Sequence, residues 1–355
     1  MKKNVSMFLS VVMSSVLLFT GCAGTPATTT TASGPGNTTT AAGSGNTTTA
    51  VAQGKIKVAL ILSGPANDQG WNATALEGLK KAETDFGITT AYMENVSIAD
   101  SESAFRDFAT QGFDLVIGHG FQYGEPAAKI GKDFPGQYFM ATESNSSGDN
   151  MASFVMSCEE GAYLMGMLSD GMTKSNVIGV VGGFEQPSII KELEAFKLGA
   201  KEINPGVKVL EIYVNSFVDA SLGKEAALSM IDQGADVLYH VANQAGTGVI
   251  TAAKEKGLLA LGNSYDQNSI APDAIITSTV YKMPLVITQA VQQVIDKKFK
   301  GGVFYLGMSD SVVDVAPFHG FESKVPKDLM DKVLAKKEAI TKNEFKVPRI
   351  ESPTK

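Results

Sequence analysis

The hydrophobic pattern changes character twice along the chain. Lys2 and Lys3 precede an apolar run from Val5 to Phe19, which passes through Leu18-Phe19-Thr20-Gly21 to Cys22. A basic start, an apolar stretch and small residues ahead of a cysteine make residues 1–21 a lipoprotein signal peptide, cleaved before Cys22, with the cysteine acylated. The run is shorter than the ~20 residues a membrane-spanning helix needs. Residues 23–54 then show no periodicity and no charge, only Thr, Gly, Ala, Ser, Asn and a few others. Gly34-Pro35-Gly36-Asn37-Thr38-Thr39-Thr40 is nearly repeated as Gly43-Ser44-Gly45-Asn46-Thr47-Thr48-Thr49. Such a stretch cannot bury enough apolar surface to offset its ordering entropy. Residues 22–54 are therefore expected to be a lipidated cysteine and a disordered tether, with an r.m.s. span of roughly 30 Å.

From Lys55 onward, short apolar runs alternate with helical spacing. Ile56-Lys57-Val58-Ala59-Leu60-Ile61-Leu62 reads as a buried strand. Asn67 to Asn72 reads as a turn, and Ala75, Leu79, Ala82 and Phe86 then share one helix face. Asp114 to Gly118 and Tyr138 to Ala141 are further strands. The second half repeats the scheme. Val177 to Gly182 is a strand, and Ile189, Leu193, Phe196, Ala200 and Ile203 recur at helical spacing until Asn204-Pro205-Gly206 stops the helix. Val207–Val214, Asp236–Val241, Leu258–Gly262 and Ala274–Thr277 follow as strands, with Ala226 to Ile231 in a helix. Alternating strands and helices imply parallel sheets covered on both faces. The fold class is α/β, with two doubly wound parallel-sheet lobes of roughly five strands each.

Composition narrows the function. The net charge is −7, and losing Lys2 and Lys3 with the signal takes it to −9. That charge, without a basic stripe, excludes a nucleic-acid surface, and no helix-turn-helix precedes Lys55. Only Cys158 remains after Cys22, so no internal disulfide is expected, and His119, His240 and His319 lack metal-ligand spacing. No nucleophile motif or phosphate loop suggests an enzyme. Neither a cofactor nor a metal is expected.

In open parallel sheets, ligands bind beyond the carboxyl ends of the strands. The turns at those ends carry Asn67, Asp68, Trp71 and Asn72; His119, Phe121 and Tyr123; Glu143 and Asn145; Phe184 and Glu185; Phe217 and Asp219; Asn243; and Ser264, Tyr265 and Asp266. Aromatic rings mixed with amides and carboxylates suit a flat polar ligand, stacked on its face and hydrogen-bonded at its edge. Two lobes that bring these ends together form one cleft.

Six motifs in order carry a resemblance: Asn67-Asp68-Gln69-Gly70-Trp71-Asn72, Asp114 to Phe121, Glu159 to Gly166, Phe196 to Ala200, Gln233 to Val237 and Gly262 to Gln267. Over about residues 55–350 the chain resembles the basic membrane protein family of substrate-binding lipoproteins, which includes purine nucleoside receptors serving ABC importers. The resemblance implies a type I periplasmic-binding-protein fold with three crossings between lobes. It places residues 55–156 plus 281–311 in lobe 1, and 157–280 plus 312–350 in lobe 2. It implies that Asn67 and Asp68 hydrogen-bond a purine and that Trp71 and Phe121 lie by the base. Phe184 and Phe217 would approach from lobe 2, and Lys282 would reach sugar hydroxyls. It also implies ABC permease subunits as partners, a monomer, and a place outside the cytoplasm on a bacterial membrane. Ser264 departs from the family, whose nucleoside receptors hold there an Asp that binds ribose, while Asp266 and Gln267 are kept. Nucleoside and nucleobase both remain open. The alternatives are a lipid-tethered sensor presenting its ligand to a receptor, or a binder of another small polar molecule.

Overall fold

The computed structural model describes residues 55–68 and 70–354. The expected signal peptide, Cys22 and the tether lie outside the described residues. The strands are β1 Lys57–Leu62, β2 Thr89–Met93, β3 Leu115–His119, β4 Tyr138–Thr142, β5 Met151–Met156, β6 Val177–Gly182, β7 Lys208–Tyr213, β8 Val237–Val241, β9 Leu259–Gly262, β10 Ile275–Tyr281, β11 Gly302–Leu306 and β12 Val313–Val315. The helices are α1 Trp71–Phe86, α2 Ser101–Thr110, α3 Gly124–Asp133, α4 Cys158–Met172, α5 Pro187–Ile203, α6 Ala220–Asp232, α7 Gly246–Glu255, α8 Met283–Ile295 and α9 Lys327–Thr341.

Two six-stranded sheets form. One runs β11-β5-β4-β3-β1-β2 and is parallel throughout; the other runs β12-β10-β9-β8-β6-β7 and is parallel except for β12, which lies antiparallel to β10. The inner strands are continuous apolar runs because helices cover both faces: β3 is buried at every position, whereas the edge strand β2 is half exposed. The sequence pattern anticipates β1, β3 and β4, and β6 through β10. It misses β2, β5, β11 and β12, the last two of which the chain supplies on its return.

The chain passes between the sheets three times: from β5 into α4, which packs on α5; from β10 into α8, which packs on α1; and from β11 into β12. Met156 to Cys158, Tyr281 to Met283 and Leu306 to Val313 are the stretches that link the lobes. No helix among the described residues is long and apolar enough to cross a membrane.

Candidate functional site

A cavity of about 300 Å³ lies between the two lobes, at the carboxyl ends of their strands. Lobe 1 contributes Trp71 and Asn72 from the first turn of α1, Phe121 and Gln122 after β3, and Glu143 after β4. Lobe 2 contributes Phe184 and Gln186 after β6, Ile189 and Glu192 from α5, Asn215 and Phe217 after β7, Asn243 after β8, and Asn263 and Ser264 after β9. Cys158 and Tyr281, at two of the crossings, close the floor. Glu143, Asn243 and Ser264 have φ of 57°, 47° and 74°. Left-handed backbone at three such positions re-aims side chains where each strand ends, and it costs free energy at non-glycine residues.

The walls are aromatic. Trp71 stacks on His119, with ring centroids 4.1 Å apart and planes at 18°. Phe184 and Phe217 meet edge to face at 4.9 Å. His119 is fully buried behind Trp71; its Nε2 donates to the Trp71 carbonyl at 2.9 Å, and its Nδ1 accepts from Thr142 Oγ1 at 3.0 Å. Burial lowers its pKa to about 4, so the ring is neutral, with one nitrogen free to donate and the other to accept. His119 orients Trp71 and does not line the cavity, contrary to the expectation that it meets the ligand.

Asp68 is the larger correction. Its carboxylate is buried and takes the backbone amides of Gly70 and Ala73 on Oδ1. Oδ2 takes the amide and side chain of Asn72 and the side chain of Asn243. The first amides of a helix have no intrahelical acceptor, and Asp68 supplies one for α1, with its negative charge at the positive end of the helix dipole. With its lone pairs so committed, it does not line the cavity. Asn72 and Asn243 do. Since Asp68 can only accept, it orients the Asn72 amide with Nδ2 inward, leaving Asn72 Oδ1 as an unpartnered acceptor among the described residues.

Asn243 also joins the lobes. Its Oδ1 accepts the Trp71 amide at 3.0 Å, and its Nδ2 donates to Asp68 at 2.8 Å. Gly70 permits this approach, because a Cβ there would lie 2.4 Å from Asn243 Oδ1. The cleft is therefore bridged by protein atoms beside the cavity.

Three other expected site residues are turned away. Asn67 is exposed. Asp266 pairs with His319 at 2.5 Å and caps the Asn268 amide. Lys282 pairs with Asp314 at 3.0 Å, and Asp314 is also held by Lys337. None lines the cavity. Trp71, Asn72, Phe121, Phe184, Phe217, Asn243 and Ser264 are all brought together on it.

The residues that pattern reading missed are charged groups on a helix that is buried all round. Lys191, Glu192 and Glu194 of α5 are each nearly fully buried. Their sequence signal is a Lys-Glu-Leu-Glu run between Ile189 and Phe196; α5 is buried on every side from Ser188 to Phe196, where solvated charges do not belong. Lys191 reaches across to lobe 1, donating to Glu143 Oε2 at 2.7 Å and to the Met156 carbonyl at 2.6 Å. Glu192 turns to the cavity wall. Among the described residues the lining contains Glu143 and Glu192 but no lysine or arginine. Such a cavity disfavours phosphates and free carboxylates, and it accommodates a neutral, flat molecule with several hydrogen-bonding edges.

The family described as ABC transporter substrate-binding protein PnrA-like matches residues 55–351. A purine-binding protein of Brucella abortus is 30% identical over 276 residues, covering 77% of this chain and 78% of that protein. Basic membrane protein A of Borreliella burgdorferi is 31% identical over 232 residues, covering 63% of this chain and 67% of its own. Among solved structures, an ABC transporter solute-binding protein from Aeropyrum pernix superposes with a TM-score of 0.76 at 22% identity, over 83% of this chain and 94% of that one. At that identity the likeness establishes the fold alone.

Proposed function

The chain belongs to the PnrA-like family of ABC transporter substrate-binding proteins, and from that premise we propose that it captures a purine in the cavity between its lobes and hands it to an ABC importer outside the cytoplasm. The lipid on Cys22 would hold it to the membrane, and residues 23–54 would let the body reach the permease. The observation that carries the purine reading is the lining itself. Rings come from both lobes, and amides of Asn72, Gln122, Gln186, Asn215 and Asn243 surround them without a cation. The purine-binding relative from Brucella abortus supports the same class.

Capture is a population shift. Ligand contacts to both lobes are complete only when the cleft is closed, so ligand favours the closed state by its differential affinity for the two forms. The Asn243 bridge to α1 forms in that same closed arrangement, so the protein contributes part of the closing interaction itself.

Trp71 gives the direct test. It is the only tryptophan in the chain, so its emission reports the cavity alone. Saturable binding of a purine shifts that emission, and Trp71→Ala weakens binding by ~1–3 kcal/mol, the range for base–aromatic stacking. A saturable ligand that leaves both unaffected removes Trp71 from the site.

The free base fits better than the nucleoside. Ser264 stands where the family's ribose-binding carboxylate would be, its hydroxyl is bonded to Asn263 Oδ1 at 2.8 Å, and Asp266 and Lys282 are committed elsewhere. Competition calorimetry with adenine, guanine, adenosine and guanosine is expected to rank each base at or above its nucleoside. Ser264→Asp then raises the nucleoside's relative affinity about tenfold, because a hydrogen bond to a charged group is worth ~1.5–3 kcal/mol. A tenfold preference of the unmodified protein for nucleosides overturns the free-base reading.

A further inference from the structure

Glu192 is a buried carboxyl group on the cavity wall, 4% exposed, with one oxygen used and one unused. Oε2 accepts from Asn263 Nδ2 at 3.1 Å and from the Tyr281 hydroxyl. Oε1 has no protein partner among the described residues and is not sealed off from the cavity. Every donor nearby already points at Oε2, so a proton on this group sits on Oε1. We propose that Glu192 is the specificity-determining residue of the lobe 2 wall, meeting the ligand as a neutral carboxylic acid whose Oε1–H donates to a ring nitrogen or carbonyl oxygen.

The surroundings favour the neutral form. The titratable groups facing Glu192 are Lys191 on its own helix, Glu143 after β4, Cys158 on α4, Tyr239 on β8 and Tyr281 on β10. Lys191 is the one cation among them, and Glu143 and the Met156 carbonyl already hold it. Burial pushes the thiol of Cys158 and the phenols of Tyr239 and Tyr281 well above their ordinary values, so these stay neutral. Burial also raises Glu192 itself to about 8, outweighing the Tyr281 hydrogen bond and the Lys191 charge.

This inference rests on the purine reading, and its test separates the two. The protein and its Glu192→Gln variant, each checked for folding by circular dichroism, are titrated with adenine and with guanine from about pH 6.5 to about pH 9. For the unmodified protein, affinity is expected to fall as pH rises through about 8 and to be about tenfold lower near pH 9. Glu192→Gln keeps a donor at that place but no proton to lose. Its affinity is expected to be flat across the range, so near pH 9 it binds more tightly than the unmodified protein. Affinity that rises with pH, or a Gln variant that is weaker at every pH, means an ionised Glu192 accepts from the ligand, and overturns the proposal. Binding of neither base overturns the purine reading. Glu192 is then judged without ligand: the infrared difference between the unmodified protein and Glu192→Gln near pH 6.5 should show the carbonyl stretch of a protonated acid. A carboxylate band there instead overturns the proposal.

Discussion

Asp68→Ala is expected to lower the stability of the protein by about 3 kcal/mol or more, because it strands several buried donors at once. The carboxylate accepts from the amides of Gly70, Asn72 and Ala73 and from the side chains of Asn72 and Asn243. Each orphaned buried donor costs ~1–3 kcal/mol, and bonds to a charged acceptor are stronger than neutral ones. Ligand affinity should fall with stability, since Asn72 and Asn243 lose their shared anchor. Asp68→Asn retains one acceptor oxygen but turns an amide toward donors, so it should lie between the two. Denaturant titration and calorimetry on the same samples decide the role. A folded Asp68→Ala protein of unchanged stability but weakened purine binding would restore Asp68 as a direct ligand contact, the role that family resemblance implies.

That contrast marks where sequence reading reached its limit. The strands were legible because a parallel sheet buried on both faces demands continuous apolar runs, as in Lys57–Leu62 and Val237–Val241. The location of the cavity followed from topology, since the turns singled out lay at the carboxyl ends of strands. The aromatic residues Trp71, Phe121, Phe184 and Phe217 also followed, because a large ring in a polar turn needs something to cover it. What the pattern could not show was which polar groups face the ligand and which face the protein. Asp68 and Asn72 stand in one motif, four residues apart, yet one holds the helix start and the other lines the cavity. Lys282, expected from the resemblance alone, and Asp266 are held by Asp314 and His319, partners far along the chain. The edge strands β2, β11 and β12 escaped because half-exposed or three-residue strands carry little apolar signal, and β5 because Met151-Ala152-Ser153-Phe154-Val155-Met156 holds a single β-branched residue.

Lys191→Met should be the most damaging single change in the body of the protein. The lysine is 1% exposed and lies 2.7 Å from Glu143 and 3.8 Å from Glu159. It also donates to the Met156 carbonyl. Glu159 is tied in turn to Arg349 at 2.7 Å, and the Arg349 guanidinium lies 4.0 Å over the Tyr305 ring. The group therefore joins α5 and α4 of lobe 2 to the ends of β4 and β5 in lobe 1, beside the cavity that Glu143 and Cys158 help to line. Removing one member of a buried ion pair leaves an uncompensated charge and costs ~3–5 kcal/mol. Burial alone would lower the Lys191 pKa, but Glu143 and Glu159 outweigh it and hold it above the ordinary lysine range. Its stabilising effect is therefore complete below the unfolded value of about 10.4 and is lost only as pH rises beyond that. The decisive measurement is a double-mutant cycle. Glu143→Gln keeps an oxygen for the Met156 amide, which Glu143 Oε1 now accepts at 2.6 Å, while removing the charge that Lys191 balances. If the pair acts as a unit, Lys191→Met combined with Glu143→Gln is more stable than Lys191→Met alone, with a coupling of about 1–3 kcal/mol. Additive losses would mean that Lys191 serves the fold through the Met156 carbonyl and packing alone. With coupling present, Glu143 both joins the lobes and lines the cavity, so loosening the group should weaken ligand binding alongside stability.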